Sequence, residues 1–263
     1  METNMPEDLI NKLKKEIEKT GFPTELEIGK IFRIKGWDVE HNTYFIDKDE
    51  NKGREIDLVS NLVFQDESND HYTEFTFKFI VQIKKEQEKI WVIFTTETTE
   101  FERSFYSIFP DRVYNNFNVT VLNSSLRKYN LYLFDRLGRS FTTGFSQGKD
   151  NIYSALCNTI KAYNYSLDNV YRDKSTDRLF TYIEPLIVIN GQLFEAYLNE
   201  NSELTLLNSS HLQFRFNYIS ESYKKRTNGY IINIVTKDYL DEYLKIRYDQ
   251  FKQIFDENKL VFV

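Results

Sequence analysis

Glu74-Phe75-Thr76-Phe77-Lys78-Phe79-Ile80-Val81-Gln82-Ile83-Lys84-Lys85 is the stretch on which the fold turns. Phe75, Phe77, Phe79, Val81 and Ile83 share one face of an extended chain, while Glu74, Thr76, Lys78, Gln82 and Lys84 share the other. Only Ile80 falls out of step. Strict period-two alternation predicts a strand whose apolar face is buried. Gln82 and Lys84 therefore point the same way.

Upstream, Arg54 to Ser60 is a second strand-like run, in which Glu55, Asp57 and Val59 oppose Ile56 and Leu58. The polar turn Asp47-Lys48-Asp49-Glu50-Asn51-Lys52-Gly53 leads into it from short extended runs at Trp37 to Val39 and Thr43 to Ile46. Ile28, Ile31 and Phe32 recur at helical spacing from about Thr24 to Lys35, and Gly36 suits the residue after a helix C-terminus. Leu9, Ile10, Leu13 and Ile17 mark an earlier helix stopped by Gly21. Downstream, Ile90 to Thr95 is an apolar strand. After about Lys149 the pattern changes to a helix from Asp150 to Tyr165, then strands at Leu186 to Ile189, Leu193 to Leu198, His211 to Ile219 and Tyr230 to Val235. A helix from Tyr239 to Phe255 follows. These elements predict an α/β class, with a mixed sheet flanked by helices. Residues 1–148 form the expected core, and 149–263 an α+β half that is either a separate lobe or an extension of the same sheet.

Composition narrows the function classes. The 263 residues suffice for one large domain or two smaller ones, and 41% are apolar, with 22 Phe and 18 Tyr. So aromatic a chain buries enough surface to fold rather than stay disordered. Its longest apolar runs, such as Pro185 to Ile189, fall far short of the ~20 residues of a membrane helix. The start, Met1-Glu2-Thr3-Asn4-Met5-Pro6-Glu7-Asp8, shows no basic or apolar leader, so a cytoplasmic location is expected. The single cysteine, Cys157, excludes an internal disulfide or a zinc site of cysteine pairs, and suits a buried apolar position. His41, His71 and His211 lack metal-ligand spacing. A net charge of -6 argues against a protein that coats nucleic acid. It leaves room for local contacts from Lys84-Lys85, Arg127-Lys128 or Lys224-Lys225-Arg226, each of which is otherwise a solvated face.

An acid on a helix, an acid on a strand and a Gln-x-Lys on the next strand form the chemically suggestive set. Thr24-Glu25-Leu26-Glu27-Ile28, Gly36-Trp37-Asp38-Val39, Arg54-Glu55-Ile56-Asp57-Leu58-Val59, Val81-Gln82-Ile83-Lys84-Lys85 and Ile90-Trp91-Val92-Ile93-Phe94 occur in that order. In that order they resemble the PD-(D/E)XK phosphodiesterase superfamily, the restriction-endonuclease-like nucleases. Such proteins carry an acid on the first core helix, Gly plus an aromatic residue after it, a strand aspartate, then (Asp/Glu/Gln)-x-Lys and an aromatic-rich strand. The match spans about residues 20–96. It implies an α/β/α core and a metal-dependent endonuclease, with DNA as the expected partner and a role in prokaryotic defence or restriction.

By that resemblance Asp57 binds Mg²⁺ or Mn²⁺ directly, helped by the side-chain oxygen of Gln82 and the backbone carbonyl of Ile83. Glu25 acts through a water or holds a second ion. Lys84 orients or deprotonates the attacking water, or offsets charge on the pentacovalent phosphate. Magnesium is hard and keeps several waters, so a few oxygen ligands suffice. Glu27 competes with Glu25, yet the two lie about 200° apart around a helix, so only one faces the site. Gln82 is the departure, because many relatives have Glu or Asp there. Glutamine supplies an oxygen without charge and weakens metal binding, although a Gln-x-Lys subgroup exists among methylation-dependent restriction relatives.

Two other classes remain open: an inactive nuclease-like fold serving as a nucleic-acid or protein binding module, and a protein whose aromatic C-terminal half forms a homodimer. Phosphate-loop, dinucleotide and nucleophile-elbow motifs are absent. The aromatic runs Tyr129 to Phe134 and Phe214 to Tyr218 suit base stacking or, more simply, core packing.

Overall fold

A computed structural model describes residues 7–68, 71–103, 112–115, 117, 119–129, 134–144, 151–170, 178–223 and 229–259. Its helices are α1 (Glu7–Lys19), α2 (Phe22–Ile34), α3 (Val119–Lys128), α4 (Asn151–Asp168) and α5 (Leu240–Asn258), the last entered through a 3-10 turn at Lys237–Tyr239. The strands are β1 (Asp38–Asp47), β2 (Lys52–Ser68), β3 (His71–Glu97), β4 (Arg112–Asn115), β5 (Arg136–Gly144), β6 (Arg178–Leu198), β7 (Leu204–Asn208), β8 (His211–Phe216) and β9 (Tyr230–Thr236). All nine belong to one mixed sheet in the order β1-β2-β3-β5-β8-β9-β6-β4, with β7 on β6 and β3 also beside β6. The α/β class is thereby established. No helix among the described residues is long and apolar enough to cross a membrane.

The alternating stretch lies on β3, the strand about which the rest is arranged. Its odd-numbered face (Phe75, Phe77, Phe79, Val81, Ile83) packs beneath α2 and α5, against Ile28, Phe32, Leu244 and Phe251. Phe77 stacks on Phe251 with ring centroids 4.0 Å apart and planes 14° apart. Each such fully buried ring stabilises the fold by about 1.5–3 kcal/mol relative to exposure. Ile80, out of step in the pattern, has its own core on the opposite face. There α4 covers it with Ile152, Ala155, Leu156, Ile160 and Tyr163, beside Ile56, Val59 and Trp91. So β3 is buried on both faces where α4 crosses, and polar on one face beyond it.

β3 is longer than expected. The runs at 74–85 and 90–95 form one 27-residue strand, with a register shift between Glu86 and Ile90 against β6. β6 likewise joins the two expected runs 186–189 and 193–198 into 21 residues. The two strands run parallel from Thr73↔Arg178 to Phe94↔Ala196, so residues from both halves of the chain share the centre of the sheet.

The sheet also closes on itself. β3 pairs with β5, β5 with β8, β8 with β9, β9 with β6, and β6 with β3. The seam is the single rung Gly138↔Phe214 between β5 and β8. Glycine is required there, because a Cβ would stand 2.6 Å from both Ile93 Cγ2 and Phe214 Cδ2. Phe214 and Phe216 are consequently buried core rings rather than a stacking surface. Lys224-Lys225-Arg226 and residues 130–133 lie outside the described residues.

Candidate active site

Asp57 sits where β2 and β3 part. The antiparallel ladder between them runs to Leu58↔Val81, and one step further the Asp57 side chain takes the ladder's place. Its Oδ2 accepts the backbone N–H of Ile83 and the side-chain amide of Gln82. Lys84 follows Gln82 on the same face by alternation. Glu55, Gln82 and Lys84 line a cavity of about 670 Å³, walled on its other side by Tyr153, Asn158 and Lys161 of α4.

Glu25 reaches this place from the first turn of α2. Gly29 lets that helix lie close to β1, since a Cβ there would come within 2.4 Å of the His41 ring. The Glu25 carboxyl is pushed above its ordinary range by burial first and by nearby Asp57 and Glu55 next, while Lys84 pulls it back. Glu27, by contrast, is exposed and ion-paired to Lys237 at 2.6 Å. Of the two competing acids it is Glu25 that the structure brings to Asp57 and Lys84.

Asp57 is raised too. Burial dominates and Glu55 adds to it, against the lowering by the Ile83 N–H, Lys84 and Gln82. Two carboxyls that both resist ionisation, side by side, leave a deficit of positive charge at this end of the sheet. The other cations of the cavity do not supply it. Arg54 and Lys161 both bind the fully buried Asp47, at 2.5 and 2.8 Å. Burial would raise Asp47, but Lys161, the Asp49 backbone N–H and Arg54 hold it below its ordinary range. Lys84 forms no such ion pair among the described residues.

Gln82 departs from expectation. Its oxygen, expected on a metal ion, accepts the side-chain amide of Asn158, and its nitrogen faces Asp57. Asn158 also donates to the backbone oxygen of Glu55 at 3.1 Å. Neither Asn158 nor Glu55 was singled out from sequence. Glu55 shares a face with Asp57 by plain alternation, so a signal existed. For Asn158, about a hundred residues away on a helix, none did.

No group of three or more His, Cys, Asp or Glu among the described residues could hold a metal ion. What remains is Asp57 Oδ1, the Glu25 carboxylate and the Ile83 carbonyl, which points to the same strand edge as the N–H that meets Asp57. Hard oxygens in this number fit Mg²⁺, which is held by one or two carboxylates and keeps most of its waters. Of the basic pairs, Lys85 donates to the Glu18 backbone and Lys128 pairs with Glu257, so neither faces this cavity. Cys157 is half-buried and lines the cavity beside Asn158.

No family model matches this chain, and no match is found among curated proteins or solved structures.

Proposed function

We propose that this protein is a metal-dependent nuclease that hydrolyses phosphodiester bonds, with DNA as the first substrate to test, in the manner of the PD-(D/E)XK enzymes. The observation that carries it is the meeting of Glu25, Asp57 and Lys84, from three different elements, at the point where two strands separate. Half-buried acids with raised pKa values beside a lysine that forms no ion pair among the described residues speak for a ligand site rather than a purely structural one.

Mg²⁺ or Mn²⁺, when bound, supplies the charge that offsets the phosphate and makes water more acidic. The chain's own residues do the rest. Asp57 Oδ1, Glu25 and the Ile83 carbonyl would provide its hard oxygen ligands. The Ile83 N–H and the Gln82 amide fix Asp57 Oδ2, so the carboxylate cannot rotate. Lys84 orients the attacking water or meets the negative charge that grows on the phosphate oxygens. A nucleic-acid substrate goes with a cytoplasmic location.

Gln82's oxygen, turned to Asn158, favours a second reading: a fold of the same kind that binds nucleic acid or protein without cutting it. Incubation with plasmid, linear duplex and single-stranded DNA and with RNA, with and without Mn²⁺, separates the two. Cleavage that needs the metal and disappears in Asp57→Ala supports the nuclease. Metal-independent behaviour, or activity retained in Asp57→Ala, overturns it.

A further inference from the structure

Asn158, Gln82 and Asp57 form one chain of hydrogen bonds whose direction is set by its ends. At one end the Glu55 backbone carbonyl can only accept, so Asn158 must present its NH₂ there. At the other end Asp57 is a carboxylate that already takes the Ile83 N–H, so Gln82 must present its NH₂. Between them, the second N–H of Asn158 meets the Gln82 oxygen. From Asn158 onward both links, to Gln82 and then to Asp57, point toward Asp57. Gln82 is 3% exposed, so neither end of its amide can turn to water instead.

We infer that Asn158 is a positioning residue for the proposed metal site, holding Gln82 as a hydrogen-bond donor to Asp57 and so leaving Oδ1 of Asp57 as the face turned to the ion. Charge explains why a donor is wanted at position 82. Glu25, Glu55 and Asp57 place three acids at this end of the sheet, and a carboxylate at 82 would set a fourth against Asp57 Oδ2, where the amide of Gln82 donates. Helix α4 thus belongs to the site through Asn158, although the motif ends at Lys84. This inference rests on the nuclease reading for its activity arm only.

The test reverses the chain. Asn158→Asp is close in shape but offers only acceptors to its neighbours, so the Gln82 oxygen loses its donor and the Gln82 NH₂ is drawn from Asp57 toward residue 158. In the metal-free protein, the Gln82 side-chain amide resonances are identified by their loss in Gln82→Leu. They are expected to move when Asp57→Asn removes the charge they face, and to be insensitive to Asp57→Asn once Asn158→Asp is present. An equal response in both backgrounds overturns the inference. On DNA with Mn²⁺, Asn158→Asp is expected to slow cleavage about tenfold or more, as for a lost bond to a charged group. In the Gln82→Leu background it should cost nothing further. Additive losses mean that Asn158 acts as a structural residue only, and overturn the inference as well. Should the wild type not cleave at all, the nuclease reading falls by itself, and the resonances still decide the role of Asn158.

Discussion

Two buried polar clusters in this protein end differently. One lies between β6, β8, β9 and α5: Glu184 Oε1 accepts Asn233 at 2.9 Å, Arg247 at 3.3 Å and the Tyr243 hydroxyl, and Asn233 meets His211 at 2.9 Å. There the buried carboxylate has a buried guanidinium beside it, and the charges cancel. The other is the cluster around Asp57, where two carboxyls are raised and the nearest cation, Lys84, does not offset them. Burial is common to both, so burial alone does not mark a site. The difference is closure. A network that balances its own charge supports the fold, and one that does not is the better candidate for a ligand site.

The largest effect expected from breaking this contrast is at Arg247. Removing it by Arg247→Ala leaves Glu184 buried without its counter-charge, which should cost about 3–5 kcal/mol in urea unfolding. Cleavage, if measurable at reduced temperature, should persist. Lys84→Ala should behave in the opposite way, losing ~10²-fold or more in rate while its unfolding midpoint hardly changes. Asp57→Ala should lose rate likewise and also cost about 1–3 kcal/mol, because the Ile83 N–H and the Gln82 amide lose their acceptor. Asp57→Asn, which removes a charge the fold resists, should keep the melting temperature or raise it. A clear destabilisation by Asp57→Asn would place this carboxylate with the structural cluster.

His211 sharpens the closed side of the comparison. Burial first, and Arg247 after it, push the ring down to about 4 despite its bond to Asn233. Its folded pKa lies below the unfolded value of 6.5. The unfolded chain therefore takes up the proton first as pH falls. Stability from this residue is complete above 6.5 and declines through the window down to 4, by about 2 kcal/mol at pH 5. Thermal melts from pH 8 to 5 should show this slope, and His211→Gln should flatten it. The smallest effect is expected at Glu27. It pairs with Lys237 at the surface, so Glu27→Gln should change stability by less than ~0.5 kcal/mol and leave metal titrations as they were. Glu25→Gln should weaken metal binding. A reversed outcome between these two variants would mean that the wrong acid faces the site.

How far these features were legible depends on the distance over which each is set. Alternation on β3 and the helical spacing of Ile28 and Phe32 are local consequences of burial, and both are seen as read. Where α1 packs was not legible: Leu9, Ile10, Leu13 and Ile17 have helical spacing but are 37–53% exposed, because amphipathicity marks an apolar face and not its partner. The strand boundaries at 86–90 and 190–192 were misplaced because polar residues there are absorbed by a register shift between two long strands. Elements between 98 and 148, including β5 and the Gly138 seam, carried no pattern that was recognised. Within the candidate site, the shared face of Gln82 and Lys84 followed from periodicity, while Asp57 was singled out by the resemblance. The direction in which the Gln82 amide points depends on Asn158, which only the tertiary fold brings near.

The parallel pairing of β3 with β6 has a kinetic corollary. Its first rung joins Thr73 to Arg178, so the middle of the sheet cannot assemble until more than a hundred residues have been synthesised and looped back. Every residue of the motif is in place on the chain by Lys84, yet one edge of β3 waits for β6 and one face waits for α4. A fragment ending near residue 148 would hold Glu25, Asp57, Gln82 and Lys84 with that edge and that face bare, inviting aggregation. On the ribosome, the nascent chain would emerge with its motif complete and its site unbuilt, and the second half of the protein would determine when it is formed.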